Sequence, residues 1–262
     1  MKYTLDSIKS GVEKLLGMKL GFRLPGLLTK RAVDHLRQQA FNALAANRFV
    51  DAELLFRKIE DMQPGAMGNG HNIGVALMGQ ERYEEAERLF AAELENFGDA
   101  FHRFKTLADL YYVWGRPEQA AEFYAKAKVA AQQPPDRNFC ERRAAISSNP
   151  ARFAQVRESI AANKRGAELY FKHEIEPAML EFKRAGELDP TNFQSFNNLG
   201  AIELNNKKDA AAAAAWFEKA AGLTSLVGVQ RNFAAAKAEA ERVSKEREKE
   251  ILKKARKEGR LK

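Results

Sequence analysis

The sequence predicts an all-α protein built of antiparallel helix pairs stacked in series. Three observations predict it. Small and aromatic residues recur every 34 residues: Ala40, Gly74 and Ala108, then Ala52, Ala86 and Ala120, then Phe56, Phe90 and Tyr124. The same offsets return in Gly166, Ala178, Phe182 and Pro190, and again in Gly200, Ala212 and Trp216. Ala, Leu, Glu, Lys and Arg dominate a chain of 262 residues that is 45% apolar and 30% charged with only 8 prolines. These are strong helix formers, in a balance that favours a packed core over disorder.

The spacing has a physical reading. The small residue of the first helix sits where the second helix crosses it, and a larger side chain would force the pair apart. The alanine twelve residues on does the reciprocal job. The aromatic four residues later lies on the same helical face and fills space against the neighbouring unit. No unit buries its apolar face alone, so units must stack.

With a period of 34, a small residue at repeat position 8, Ala at 20, an aromatic at 24 and Pro near 32, the chain resembles the tetratricopeptide repeat (TPR) family. The stretches "LADLYYVWGRPEQAAEFYAKA" and "NNLGAIELNNKKDAAAAAAWFEKAAGL" carry the resemblance most clearly. It covers about 170 of 262 residues, with departures at Ala43 and Leu77, which replace a usual Tyr, and at Glu93, which replaces an alanine. The resemblance implies a right-handed superhelical solenoid of antiparallel helix pairs. Units are placed at 33–66, 67–100, 101–134, 159–192 and 193–226, giving three units in 32–134 and two in 159–226.

Three segments fall outside these units. Residues 1–31 form an N-terminal part in which Leu5, Ile8, Val12, Leu15 and Leu16 share a helical face. They read either as a cap on the first repeat or as a helix for an anionic membrane surface or a partner's groove. The run "KLLGMKL" is also similar to the leader of magnetosome-associated repeat proteins, which implies a peripheral, organelle-surface assembly role as the alternative function. Residues 135–158 are ten short of a unit. Pro134-Pro135 stops one helix, a short helix is expected over 136–146, and Ser148 or Asn149 caps the next, with Pro150 in its first turn. The segment reads as a packed degenerate repeat or as a hinge. Residues 227–262 begin with a sealing stripe of Val229, Phe233, Ala236, Ala240 and Val243 and end in a charged basic tail.

The net charge of +8 belongs to the ends. Residues 1–31 and 237–262 carry +5 each, which leaves the body at −2. Such a body is not a nucleic-acid surface, and no aromatic interleaves the tail lysines to stack bases. The lone Cys140 forms no internal disulfide, no apolar run suits a membrane span, and Lys9, Glu13 and Lys14 interrupt any signal-peptide core. The reading is a cytoplasmic protein, with self-association open.

No chemistry is legible. The glycines of "GAMGNGHNIG" do not have phosphate-loop spacing and follow no strand. His35, His71, His102 and His173 form no metal pattern, and Cys140 has no catalytic neighbours in sequence. The expectation is no enzyme, no cofactor and no metal. Family resemblance implies that selected positions of the first helices line a concave groove. These are Arg37, Gln38, Phe41, His71, Asn72, Val75, Lys105, Thr106, Tyr112, Asn163, Lys164, Asn197 and Asn198. An Asn or Gln amide can both donate to and accept from an extended peptide, and Arg37 and Lys105 suit a carboxylate. Some relatives clamp a terminal carboxylate. Here Arg37 and Asn72 fit that clamp, whereas Phe41, His102 and Thr106 depart from it. Phe41, Val75, Met78 and Tyr112 make the groove partly apolar, which suits a helix or a hydrophobic peptide of a protein partner.

Overall fold

The structure, a computed structural model, describes residues 26–66 and 68–257. Expectations for residues 1–25 and for the last five residues lie outside the described residues. Among the described residues there are twelve α-helices and no strand. Contacts divide the chain into two compact units, Met1–Gln80 and Glu81–Lys262.

The first unit holds α1 (Gly26–Ala45), α2 (Phe49–Met62) and α3 (Asn69–Gly79). Val33, Ala40 and Ala43 of α1 and Ala52, Phe56 and Ile59 of α2 are buried against each other, as the period requires. Polar clamps fix α3 on α2 at both ends. At its start the buried Asn69 amide donates to the Phe56 carbonyl at 3.2 Å and to the Glu60 carboxylate. Just beyond its end the Gln80 amide donates to Glu53 at 2.8 Å.

The second unit holds α4 (Tyr83–Phe97), α5 (Phe101–Trp114), α6 (Pro117–Ala130), α7 (Pro134–Ser147), α8 (Pro150–Phe171), α9 (Ile175–Leu188), α10 (Phe193–Asn205), α11 (Ala210–Ala221) and α12 (Val227–Lys257). Neighbours pack pairwise: α5 with α6, α8 with α9 and α10 with α11, while α7 lies on α6 and α12 on α11. Prolines open α6, α7 and α8 in the first turn, where no intrahelical N–H is needed. The Asn149 side chain caps α8 by accepting the Arg152 N–H at 3.1 Å.

Residues 135–158 thus become α7 and the first half of α8. The core of the next pair gathers Ala178, Met179, Phe182, Leu199 and Ile202. Burying one such aromatic contributes about 2–3 kcal/mol. The crossing residue is under strict steric control. A Cβ added to Gly166 would stand 2.8 Å from the Phe182 ring, and one on Gly200 would stand 2.7 Å from Phe217.

That last contact corrects the register of the fifth pair. Ala213 and Phe217 are buried there, not Ala212 and Trp216. The turn from α10 to α11 has four residues where the turn from α8 to α9 has three. The extra residue shifts α11 by one position, and Trp216 instead packs against the preceding core.

Candidate partner-binding face

In the first unit the selected side chains of α1 remain open. The Phe41 ring is 44% exposed, yet it is held edge-on against buried Phe56, with centroids 5.5 Å apart. One turn back lie Arg37, ion-paired to Asp34 at 2.9 Å, and Gln38, whose amide donates to Asn42 at 3.0 Å. On α3, His71, Asn72 and Val75 are half-buried, while their neighbours Ile73, Gly74 and Ala76 are fully enclosed. An anchored ring, a cation and several amides therefore belong to the two first helices of this unit. Such a set suits a peptide with an apolar side chain and an acidic group.

In the second unit much of the selected set serves the fold. Tyr112 is 1% exposed, and its hydroxyl donates to Asp189 at 3.1 Å, so it is withdrawn from any partner. Lys105 pairs with Asp109 and lies 4.8 Å over the Phe139 ring of α7. The Thr106 hydroxyl donates back to the His102 carbonyl at 2.8 Å. Asn197 accepts from Asn232 of α12 at 3.0 Å. Asn163 keeps a side-chain oxygen that is buried and makes no hydrogen bond. Lys164 is exposed and Asn198 half-buried.

Around Lys105 and Tyr112 the withdrawal comes from α7, whose Arg143 sequence reasoning missed. Its guanidinium donates to Thr191 Oγ1 at 2.9 Å and to the Tyr124 hydroxyl at 2.9 Å. It lies 4.0 Å over the Tyr112 ring, and it faces Asp109 at 3.4 Å and Asp189 at 3.6 Å. Asp136, also on α7, accepts the Ser225 N–H at 2.9 Å, and Asn138 donates to the Gly222 carbonyl at 3.1 Å. Phe153 at the start of α8 meets Tyr112 edge-on, with centroids 5.4 Å apart. Hence α7 and the start of α8 cover the face of α5 and tie it to the turns that follow α9 and α11.

The electrostatics follow from that enclosure. Burial raises the Tyr112 and Tyr124 hydroxyls, with nearby carboxylates adding to the effect. For Asp109, burial works upward, but Lys105 and Arg143 outweigh it and hold the carboxyl below its usual value. Cys140 is buried, and its thiol is pushed up to about 12, which makes it an unreactive packing residue. Among the described residues no group of three or more His, Cys, Asp or Glu side chains could hold a metal ion.

A small residue of the first helix meets an aromatic of the second at Gly166–Phe182 and at Gly200–Phe217; the glycines are 34 residues apart and the aromatics 35, the one-residue shift of α11. The helix pairs have the antiparallel arrangement that the sequence's resemblance to the tetratricopeptide repeat family implies. No protein-family model matches the chain, and no curated protein matches it. Among solved structures the chain is similar to the TPR2AB-domain:pHSP90 complex of yeast Sti1, at 16% identity and a TM-score of 0.41, over 80% of this chain and 84% of that one. It is similar to YrrB, described as a TPR protein with an unusual peptide-binding site, at 16% identity and a TM-score of 0.38, over 80% and 97%. It is also similar to MamA of MSR-1, at 15% identity and a TM-score of 0.37, over 81% and 98%. The resemblance to the TPR family rests on the period and the crossing residues of this chain.

Lys105, Asp109 and Tyr112 stand at positions that the resemblance implies would line a groove, and α7 covers them here. The Asn69 and Gln80 clamps likewise escaped the sequence reading. A buried amide and an exposed one look alike without the fold. Asn69 beside a helix start was one signal, but Arg143 is one of three arginines in 134–149 and nothing local distinguishes it from Arg137 and Arg142.

Proposed function

We propose that the chain is a non-catalytic, cytoplasmic TPR scaffold that captures an extended peptide or short helix of a protein partner. The open face of α1 and α3 is the principal receptor. The observation that carries this reading is Phe41, a ring fixed by Phe56 yet nearly half exposed, with Arg37 and Gln38 one turn away. A preordered aromatic beside a cation is the usual make-up of a binding hot spot. On this reading Asn72 and Gln38 pair with the partner's main chain, Phe41 and Val75 receive an apolar side chain, and Arg37 receives a carboxylate. Asn163, Lys164 and Asn198 of the second unit form an accessory face. Lys105, Thr106, Tyr112 and Asn197 take no direct part: Lys105 and Tyr112 lie against Phe139 and Arg143 of α7, Thr106 bonds within its own helix, and Asn197 bonds Asn232 of α12.

The test is selection of binding peptides from a random display library on the full chain, followed by titration of selected peptides against variants. Phe41→Ala is expected to weaken binding at least tenfold. Val129→Ala, on a residue exposed elsewhere on the surface, is expected to leave it unchanged. Equal loss in both variants, or none in Phe41→Ala, would remove this face from the function.

A further inference from the structure

Asn69 fastens the start of α3 to α2, and the residue that follows it is Gly70. The Asn69 side-chain nitrogen donates to the Phe56 carbonyl at 3.2 Å and to the Glu60 carboxylate, and the residue is 5% exposed. Glu60 also accepts the Gly65 N–H at 2.7 Å, so one carboxylate holds both the glycine-rich turn and the helix start. In that turn Gly65 and Gly68 take left-handed backbone, with φ of 69° and 81°. Asn69-Gly70 is the only Asn-Gly step in the chain. At such a step the following main-chain nitrogen reaches the asparagine side chain most readily, because glycine has no Cβ to shield it. Gly70 lies in the first turn of α3, where main-chain N–H groups have no intrahelical acceptor.

We propose that Asn69 is a deamidation site, guarded by the fold while α3 is docked, and that its conversion keeps α3 from docking again. In the docked state the helical backbone of Asn69 does not let the ring close, and its amide is held by Phe56 and Glu60. Local opening of α3 frees both. The Gly70 main-chain nitrogen then loses its proton and attacks Asn69 Cγ. The new N–C bond closes a succinimide, and the side-chain nitrogen leaves as ammonia, taking up that proton. Water opens the ring at either carbonyl and leaves aspartate or isoaspartate, with no change of oxidation state. The product has a carboxylate where the amide donated, so it can serve neither Phe56 nor Glu60. The helix dipole favours a negative charge at this end, but Glu60 already supplies one, and a second carboxylate beside it is repelled. Release of α3 carries away His71, Asn72 and Val75. The resulting loss of partner capture rests on the reading proposed above, whereas the chemistry and its readout do not.

The experiment incubates the full chain in mildly alkaline buffer and follows each asparagine by peptide mass spectrometry, with amide hydrogen exchange of α3 measured in parallel. Conversion is expected at Asn69 ahead of every other asparagine, as a mixture of aspartate and isoaspartate. Its rate should rise together with α3 exchange in sub-denaturing urea. Gln80→Ala, which removes the far clamp of α3 on Glu53, should speed it by about tenfold. Gly70→Ala should slow it. The converted chain should lose α3 protection while α5 to α9 keep theirs. The proposal is overturned if Asn69 stays intact while other asparagines convert. It is overturned equally by a rate that ignores both urea and Gln80→Ala, or by α3 protection that survives conversion.

Discussion

Arg143 shows how one side chain decides what a surface can do. It is enclosed with Asp109, Asp189, Tyr112 and Tyr124, and every hydrogen bond it makes connects segments far apart in sequence. Removing one partner of a buried ion pair leaves the other charge uncompensated, a loss of about 3–5 kcal/mol. Arg143→Ala should therefore lower unfolding stability by about that amount in urea titrations, and a change under 1 kcal/mol would show that the network is peripheral. The pH dependence has a definite sign. Because Lys105 and Arg143 hold Asp109 below its usual value, its contribution is full above the ordinary carboxylate range, around pH 4, and is lost as pH falls through its folded value. Acid melting of Asp109→Asn should accordingly be flatter below about pH 4 than that of the natural protein. Gly166 gives a purely steric counterpart. With the Phe182 ring 2.8 Å from the site of a new Cβ, Gly166→Val should cost about 1–3 kcal/mol through overpacking, read as a lower Tm at unchanged helicity.

At the scale of elements, the sequence revealed the helices far better than their partners. The 34-residue step placed the pairs because steric control at a crossing repeats with the backbone. It failed by one residue in the fifth pair for an identifiable reason. The run of alanines from Ala210 to Ala215 satisfies the small-residue rule in two registers, and only the four-residue turn chooses Ala213. The Asn149 cap was legible because capping is local, but the destination of α7 was not, because Asp189 and Thr191 lie more than forty residues away. The groove list suffered in the same way: Tyr112 looked like an open aromatic until α7 and α8 covered it. Caps give a check at this scale. The Asp209 side chain accepts the Ala212 N–H at 2.9 Å at the start of α11, so Asp209→Ala should lose about 1 kcal/mol of stability. The far half of α12 should behave differently. Beyond Val243 it is largely exposed, so a stop after Ser244 should leave the Tm nearly unchanged, and a large drop would mean that the tail packs on something.

For the whole molecule, contacts concentrate within Met1–Gln80 and within Glu81–Lys262, and the polar lock of Arg143 belongs to the second unit alone. Native-state hydrogen exchange should therefore find α2 and α3 opening at a lower free energy than α5 to α9. The division suits a receptor: a preordered face on the smaller unit, and a larger unit in which α7 already covers Lys105, Asp109 and Tyr112. The central claim is that the partner is read by α1 and α3. Chemical-shift mapping of the full chain with a peptide selected for binding tests it most directly. The expected perturbations fall at Arg37, Gln38, Phe41, His71, Asn72 and Val75. Perturbations confined to α7, α12 or the accessory residues of α8 and α10, with those six unmoved, would contradict it.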